Sequence, residues 1–399
     1  MGLDSPVTGE NRIRVIVQQP ALPQYRVPLF RELAGRAGID LEVRYGRVDE
    51  IPNAAVKGFK ALYSPTRLWQ ASSWPFRWDA SKRRCGNRDS CEVLMLSWNI
   101  RDPCLVPALL RARRGGVSTI LWGHGSSKQE THLRRSLRWA VARLATAVLF
   151  YGNAAALRYV AKMGRPDSTF VALNSLDQTP IQSAKRKWEE DPKELIRFRR
   201  EEVLTDGPVI LFSSRLQRSN RLDLLLEATA LLSERHANLQ VVIIGSGSVE
   251  MGRLATIASR LGLEGRVRFL GEIYEEHRLA PWFLSADVFC YPSNAGLSVL
   301  HAFGYGLPVV VSDAESANNP EWEAVRDEVN GLHYAAGNVG SLAHALSRIL
   351  EYSSFAQSLS AGALRTVATE FTLENMVDGM ESAIRYGAER AKTSTKQDR

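Results

Sequence analysis

Residues 285–313, SADVFCYPSNAGLSVLHAFGYGLPVVVSD, constrain this chain more than any other stretch. The run ADVFCYP suits a strand buried on both faces in a parallel sheet. Residues 293–296 carry no apolar side chain larger than Ala295. From Leu297 the apolar positions 297, 299, 300, 303 and 307 fall at helical spacing, and Gly306-Leu307-Pro308 ends the helix. Val309-Val310-Val311 is β-branched and re-enters the sheet. The stretch therefore predicts strand, glycine turn, short helix, strand. A helix opening at Gly296 would turn unpaired amides and a positive dipole end towards an anion. The plainer reading is a βαβ unit with a small turn.

The rest of the chain repeats that unit. Residues 12–18 read as a strand, 27–37 as a helix and 41–45 as a second strand, joined by the proline-bearing loop QQPALPQYR. Further strands are expected at 91–97, 117–122, 147–150 and 169–173, with helices at 106–114 and 133–146. A second series starts at Pro208 with PVILFSSRL and continues through a helix at 222–235, VVIIG, a helix at 251–261 and VRFLG. Closing helices are expected at 359–369 and 372–386. At 399 residues the chain suggests two domains. Two doubly wound halves would place ligand loops at the carboxyl ends of their strands and a cleft between domains. We expect an N-terminal domain at 11–178, a charge-dense connection at 179–206, a C-terminal domain at 207–372, a helix at about 373–388 packing back on the first domain, and a disordered tail at 391–399.

Charge narrows the partners. The net charge is +8 and the pI about 9.4, which favours acidic ones. Nucleic acid is permitted by charge, but no RNP, KH or helix-turn-helix pattern supports it. Cys85, Cys91, Cys104 and Cys290 form no C-x-x-C pair and no zinc spacing, so they read as reduced and cytosolic. No leader or myristoylation pattern opens the chain, and no apolar stretch is long enough to span a bilayer. Between Trp69 and Arg84, the residues Trp69, Trp74, Phe76 and Trp78 interleave with Arg77, Lys82, Arg83 and Arg84. That composition suits a membrane interface or a stacked sugar, and equally a long loop packed on its own domain. Residues 133–146 set Arg134, Arg135, Arg138 and Arg143 beside an apolar face, which reads as a solvated basic face or a membrane-surface helix. His124, between Gly123 and Gly125 at the end of a strand, reads as a pocket residue or a structural one. G-x-G-x-x-G, Walker A, HExxH and G-x-S-x-G are all absent.

Taken in order, several segments resemble the family 4 retaining glycosyltransferases, most strongly over residues 208–332. They are SSRLQRSNRLDLLLEA, VVIIGSG, VRFLGEI, ADVFCYPSNAGLSVLHAFGYGLPVVVSD, NPEWEAVRDEVNGLHY and the N-domain WGHG. The resemblance implies an α/β GT-B architecture of two Rossmann-like doubly wound domains. It also implies transfer of a hexose, with retention of configuration, from a UDP- or GDP-linked sugar to a glycan or lipid-linked acceptor. The chain departs from that family at two places. Its E-x7-E glutamates are replaced by Ser293 and His301, and its Lys by Asn220, while Arg215 matches the Arg and Arg218 and Arg221 stand nearby. G-L-x-x-x-H-x-x-x-Y-G-x-P-V, YRVPLF and NPEWEA are similar to a branch of surface-polysaccharide transferases that lacks those glutamates.

By that resemblance Arg215 and the amides at Gly296 and Leu297 would meet the leaving diphosphate, with His124 holding the donor sugar. His301 would lie near the ribose, and Glu272, Ile273 and Tyr274 would border the base. Ser214, Arg218, Asn220, Arg221, Gly245, Ser293, Asn294, Ala295, Ser298 and Glu321 would complete the donor site, with Gln24, Tyr25 and Arg26 on the acceptor loop. No metal is expected, because no DxD pattern falls at this pocket. The protein would be cytoplasmic, with peripheral contact to an anionic inner membrane face through residues 69–84 or 133–146. Two other readings follow from the same residues. One is a non-catalytic nucleotide-sugar-binding or scaffold subunit, from the missing glutamates. The other is a GT-B epimerase or hydrolase, which would turn over donor without acceptor.

Overall fold

The computed structural model describes residues 12–48, 51–64, 66–71, 74–79, 88–128, 130–204 and 207–397. The reading of the first eleven residues, and those of Lys82, Arg83, Arg84 and Cys85, lie outside the described residues. The side chains of Trp69, Trp74, Phe76, Arg77 and Trp78 also lie outside them. The chain divides into two units, Met1–Leu173 with Leu373–Arg399, and Asn174–Thr372.

In unit 1 seven parallel strands form one sheet: β1 (Ile13–Gln19), β2 (Ile39–Tyr45), β3 (Lys60–Tyr63), β6 (Val93–Ser97), β7 (Ser118–Gly123), β8 (Ala147–Phe150) and β9 (Thr169–Val171). Their order is β3-β2-β1-β6-β7-β8-β9, so the winding reverses between β1 and β6. Alternate residues of each strand serve opposite faces. Val15, Val17, Met95, Trp122 and Leu149 join one core with Phe30 and Leu33 of α1 (Val27–Gly35). Ile16, Leu94, Leu96, Leu121 and Phe150 join the other with Leu105 and Leu109 of α2 (Leu105–Arg114) and Tyr159 of α4 (Asn153–Met163). Helix α3 spans His132–Ala142. Residues 66–79, open between two readings from sequence, contain an antiparallel hairpin of β4 (Thr66–Ala71) and β5 (Trp74–Asp79).

Helix α13 (Leu373–Gln397) returns to unit 1 and buries Met376, Val377, Met380, Ala383, Ile384 and Ala388 against its first core. The expected tail is corrected here: residues 391–397 are helical, and Ala391 is buried. The apolar spacing runs one turn further than the charge-rich sequence suggests.

Unit 2 holds six parallel strands, β10 (Val209–Ser213), β11 (Gln240–Ile244), β12 (Val267–Gly271), β13 (Val288–Tyr291), β14 (Val309–Ser312) and β15 (Gly331–Tyr334). Their order is β12-β11-β10-β13-β14-β15, with the reversal between β10 and β13. Its helices are α5 (Thr179–Glu190), α6 (Pro192–Glu201), α7 (Leu222–Ser233), α8 (Ser248–Arg260), α9 (Glu276–Ser285), α10 (Ser298–Tyr305), α11 (Val339–Glu351) and α12 (Ser353–Thr369).

Residues 179–201 are therefore two helices of unit 2, where a connection was expected. They look linker-like because so little of them is buried: only Ile181 and Ala184 of α5, and nothing of α6. Trp188, Phe198 and Trp282 nevertheless stack edge to face, at 5.9 and 4.9 Å, and tie both helices to α9.

Candidate active site

The loop after β10 and the loop after β13 leave the unit 2 sheet side by side at its reversal, the position where open parallel sheets hold ligands. They are stitched together by buried polar contacts. The Tyr291 hydroxyl donates to Ser214 Oγ at 3.0 Å and accepts from Asn220 Nδ2 at 3.1 Å. Asn220 Oδ1 accepts from the Gln217 amide at 2.7 Å, and its carbonyl accepts from Ser293 N at 3.1 Å. Asn220 is only 1% exposed. It was expected in the donor site at the position of a lysine; here it shapes the loop, with both ends of its amide engaged inside the protein. Burial drives the Tyr291 phenol upward, so it stays a neutral donor.

A third loop closes against these two. Ser214 N donates to Ile244 O at 3.0 Å, and Leu216 N to Ser246 O at 2.7 Å. Gly245 has φ +149°, and a Cβ there would sit 1.8 Å from Ser214 O, so this junction requires glycine.

Arg215 and Arg218 are exposed on the joined loops. The Arg215 charge reaches both Tyr274 and Tyr291, pulling each phenol down against burial or hydrogen bonding that pushes it up. Arg221, in the left-handed region at φ +54°, pairs its Nε with Asp223 at 3.0 Å, so its charge is already engaged. At the far side Tyr274 donates to Glu272 Oε2 at 2.8 Å. With Ser246, that bond holds the Glu272 carboxyl below its ordinary range. Ile273 lies half-buried between them.

The turn after β13 is held open by two asparagines. Ala295 N donates to Asn318 Oδ1 at 2.9 Å, while Asn319 Nδ2 donates to Asn294 O at 3.1 Å and Ala295 O at 2.9 Å. Asn294 is left-handed at φ +66°. The first bonds of α10 run from Val299 N to Gly296 O and from His301 N to Leu297 O, so the amides of Gly296, Leu297 and Ser298 precede the ladder. Half-buried Ser293 and Ser298 flank them. Glu321, expected at the donor, is 3% exposed and accepts from Asn174 Nδ2 inside unit 2. The short 3-10 segment Pro320–Ala324 turns it inward.

His301 differs most from expectation. Its Nε2 donates to Glu276 Oε1 at 2.8 Å, and the Tyr305 hydroxyl donates to the same oxygen at 2.5 Å. Phe283 packs on both rings, with centroids at 4.6 and 5.0 Å. Burial pushes the Glu276 carboxyl up, but the two donors outweigh it and the net shift is downward. Sequence reasoning missed Glu276, which is 25 residues from His301 and meets it only through packing of α9 on α10. Its one visible signal is an acidic residue in the first turn of a helix after β12.

In unit 1, His124 follows β7 on the corresponding strand edge, its ring 4.9 Å from that of Tyr151. Gly125 has φ +69° and backs onto Phe150, where a Cβ would come to 2.3 Å. Crowding lowers the His124 pKa to about 4, helped by the charges of Arg26, Lys128 and Arg138. The ring itself is exposed, so water screens those charges, and the direction is what counts: imidazole is neutral at pH 7. Gln24, Tyr25 and Arg26 form a 3-10 turn leading into α1; the first two are exposed and Arg26 is buried.

Residues 207–352 match the family model for glycosyl transferases group 1. The chain is 33% identical to the D-inositol 3-phosphate glycosyltransferase of Frankia alni over 174 residues, 41% of this chain and 42% of that one. It is 29% identical to the lipopolysaccharide core biosynthesis glycosyltransferase LpsE of Rhizobium meliloti, over 43% of this chain and 48% of the other. The matches thus span less than half the length of these curated relatives. Among solved structures, Anabaena Alr3699/HepE in complex with UDP superposes with a TM-score of 0.72 at 16% identity, over 94% of this chain and 99% of that one. A complex of the same protein with UDP-glucose gives 0.67, also at 16% identity, over 96% and 100%. The fold is GT-B, as in these solved structures, and within unit 2 residues 207–352 are similar to the glycosyl transferases group 1 family.

Proposed function

We propose that this chain is a retaining glycosyltransferase that moves a hexose from a UDP- or GDP-linked sugar to a glycan or lipid-linked acceptor, in the manner of surface-polysaccharide enzymes. The observation that carries this reading is the reversal point of unit 2. There, buried hydrogen bonds hold Arg215 and the open amides of Gly296, Leu297 and Ser298 on one strand edge. A leaving diphosphate needs positive groups aimed at its growing charge. In the proposed step the bond from the sugar C1 to the diphosphate oxygen breaks and a bond from the acceptor oxygen to C1 forms. The acceptor proton passes to the leaving diphosphate. Arg215 and those amides meet the charge, so the step uses no metal ion. We assign His124 to the transferred sugar. Neutral at pH 7, it offers a hydrogen bond without repelling Arg26.

The two missing glutamates favour a binding-only subunit. The Glu276 cluster favours an enzyme, because it supplies a carboxylate beside His301, where the resemblance implies one for the ribose. HepE was solved with UDP and UDP-glucose, and LpsE is named for lipopolysaccharide core synthesis. Both support a nucleotide-sugar donor and an envelope glycan. Leu133 and Leu137, 80% and 54% exposed on α3 beside Arg134 and Arg135, support peripheral contact with an anionic membrane from the cytoplasmic side. No helix among the described residues is long and apolar enough to cross one. Incubation with a panel of UDP-, GDP- and ADP-sugars and an envelope glycan extract should release nucleoside diphosphate from at least one donor. Binding to none of them would sink the reading, and release without acceptor would point to a hydrolase.

A further inference from the structure

The buried and half-buried arginines of unit 1 are satisfied in different ways. Arg138, 7% exposed, pairs with Glu130 at 2.7 Å. Arg165 donates to three backbone carbonyls, of Ala142, Ala145 and Thr146, at 3.1 to 3.2 Å. Arg26 is also 7% exposed, yet it has no carboxylate or carbonyl among the described residues. Its guanidinium stacks on the rings of Tyr25, Trp122 and Tyr151 at 5.3, 5.1 and 5.2 Å, and its one acceptor among the described residues is the Met376 sulfur at 3.8 Å. Aromatic faces attract a cation but accept few of its five N–H donors, and a thioether is a weak acceptor. The Trp122 indole nitrogen beside it is sealed without a hydrogen-bond partner.

Its position adds to the imbalance. Arg26 is the residue from which α1 starts, and the first turn of α1 holds no acidic side chain. A cation at a helix N-terminus stands against the positive dipole end, where an anion is favoured. Two positive features thus share one corner, at the carboxyl end of β1 where the winding of unit 1 reverses. His124 stacks on the same Tyr151 ring and feels the Arg26 charge. A protein that buries a charge pairs it, or leaves the pairing to a ligand.

We propose that Arg26 is an anion subsite of unit 1 that receives an acidic group, a carboxylate or a phosphate, carried by the acceptor. The assignment to the acceptor rests on the glycosyltransferase reading above; the anion subsite itself does not. The acceptor would then be an acidic sugar or a phosphorylated one, with its charge held by Arg26 and its sugar ring near Tyr25 and His124.

The test is calorimetric titration of the whole protein with inorganic phosphate, methyl glucuronide and methyl glucoside, with and without saturating UDP. UDP keeps phosphate from the diphosphate loops and reads unit 2 separately. Wild type should bind phosphate or the glucuronide, and the stronger of the two names the source of the charge. Arg26→Met, which keeps the stem on the rings, should weaken that binding by about tenfold or more, and Arg26→Lys should restore part of it. A folded Arg26→Met protein that binds these anions like wild type overturns the proposal. So does a wild type that binds neither anion. If Arg26→Met does not fold, the His124 imidazole resonance in wild type decides. The anion that wild type binds, phosphate or the glucuronide, must shift it, and a resonance that neither moves refutes the subsite. Absence of binding to both UDP and GDP would refute the glycosyltransferase reading and leave the anion result standing.

Discussion

Replacing Glu276 by Gln removes a charge and almost no volume, and so separates two roles for the Glu276–His301–Tyr305 cluster. Both donors converge on Oε1, at 2.8 and 2.5 Å, leaving Oε2 outside those two contacts. The carboxylate side chain is 24% exposed and His301 15%, so solvent screens the bonds only in part. A hydrogen bond to a charged group contributes about 1.5–3 kcal/mol, and a neutral one about 0.5–1.5. Gln retains the neutral bonds, so the fold should lose only about 1–3 kcal/mol. If Oε2 accepts a ribose hydroxyl, losing that charge-assisted bond should raise the donor KM roughly 10- to 100-fold. The ribose is unchanged in the transition state, so kcat should fall much less. Steady-state nucleotide release, with UDP titration calorimetry and a thermal melt, reads all three quantities. A lowered melting temperature with unchanged donor KM and UDP affinity would refute the ribose assignment and leave the cluster purely structural. The pH dependence has a fixed sign. The folded carboxyl titrates below its ordinary value, so its contribution to stability is complete above that value. It is lost as pH falls through the lowered one, and the Gln variant should show no such loss.

Arg215→Ala should lower kcat roughly 100- to 1,000-fold with a smaller change in UDP affinity, as removal of a group aimed at developing charge does; unchanged turnover would remove Arg215 from the site. Asn220→Ala should cost about 1–3 kcal/mol in chemical denaturation, because it removes the acceptor of the half-buried Gln217 amide and a buried bond to Tyr291. A loss below about 1 kcal/mol would show that the loop pairing is dispensable. The His124 imidazole should titrate below the ordinary histidine range by NMR, with stability due to its neutral form present above that range and lost as pH falls through the lowered value. An inflection at pH 6.5 or above would contradict the crowding and the neighbouring cations.

Much of the fold was legible because it rests on local pattern. Val288–Tyr291 and Val309–Ser312 are apolar runs bounded by turn residues, and a strand buried on both faces leaves that signature whatever its neighbours are. Helices that bury little were harder to place. Residues 179–201 read as a connection, and 391–397 as a tail, because most of their surface faces solvent. Arg215 and Gly296 in unit 2 and His124 in unit 1 were expected from motifs, and each lies on a loop fixed by its own short sequence. Asn220, Glu321 and Glu276 could not be placed that way. Whether an Asn or Glu faces solvent or is buried against a partner depends on residues 71, 147 or 25 positions away.

By itself, then, the sequence determined two β/α series, the glycine turns at strand ends and the resemblance to family 4 glycosyltransferases. All of these are properties of segments a few tens of residues long. Tertiary structure alone decided where each winding reverses and which loops that brings together. It also decided that His301 meets a carboxylate from α9, and that Arg26 is buried among three aromatic rings with no acidic partner among the described residues. Those are pairings across the sheet, set by which faces pack and which charges find a partner once water is excluded. No local periodicity encodes that choice.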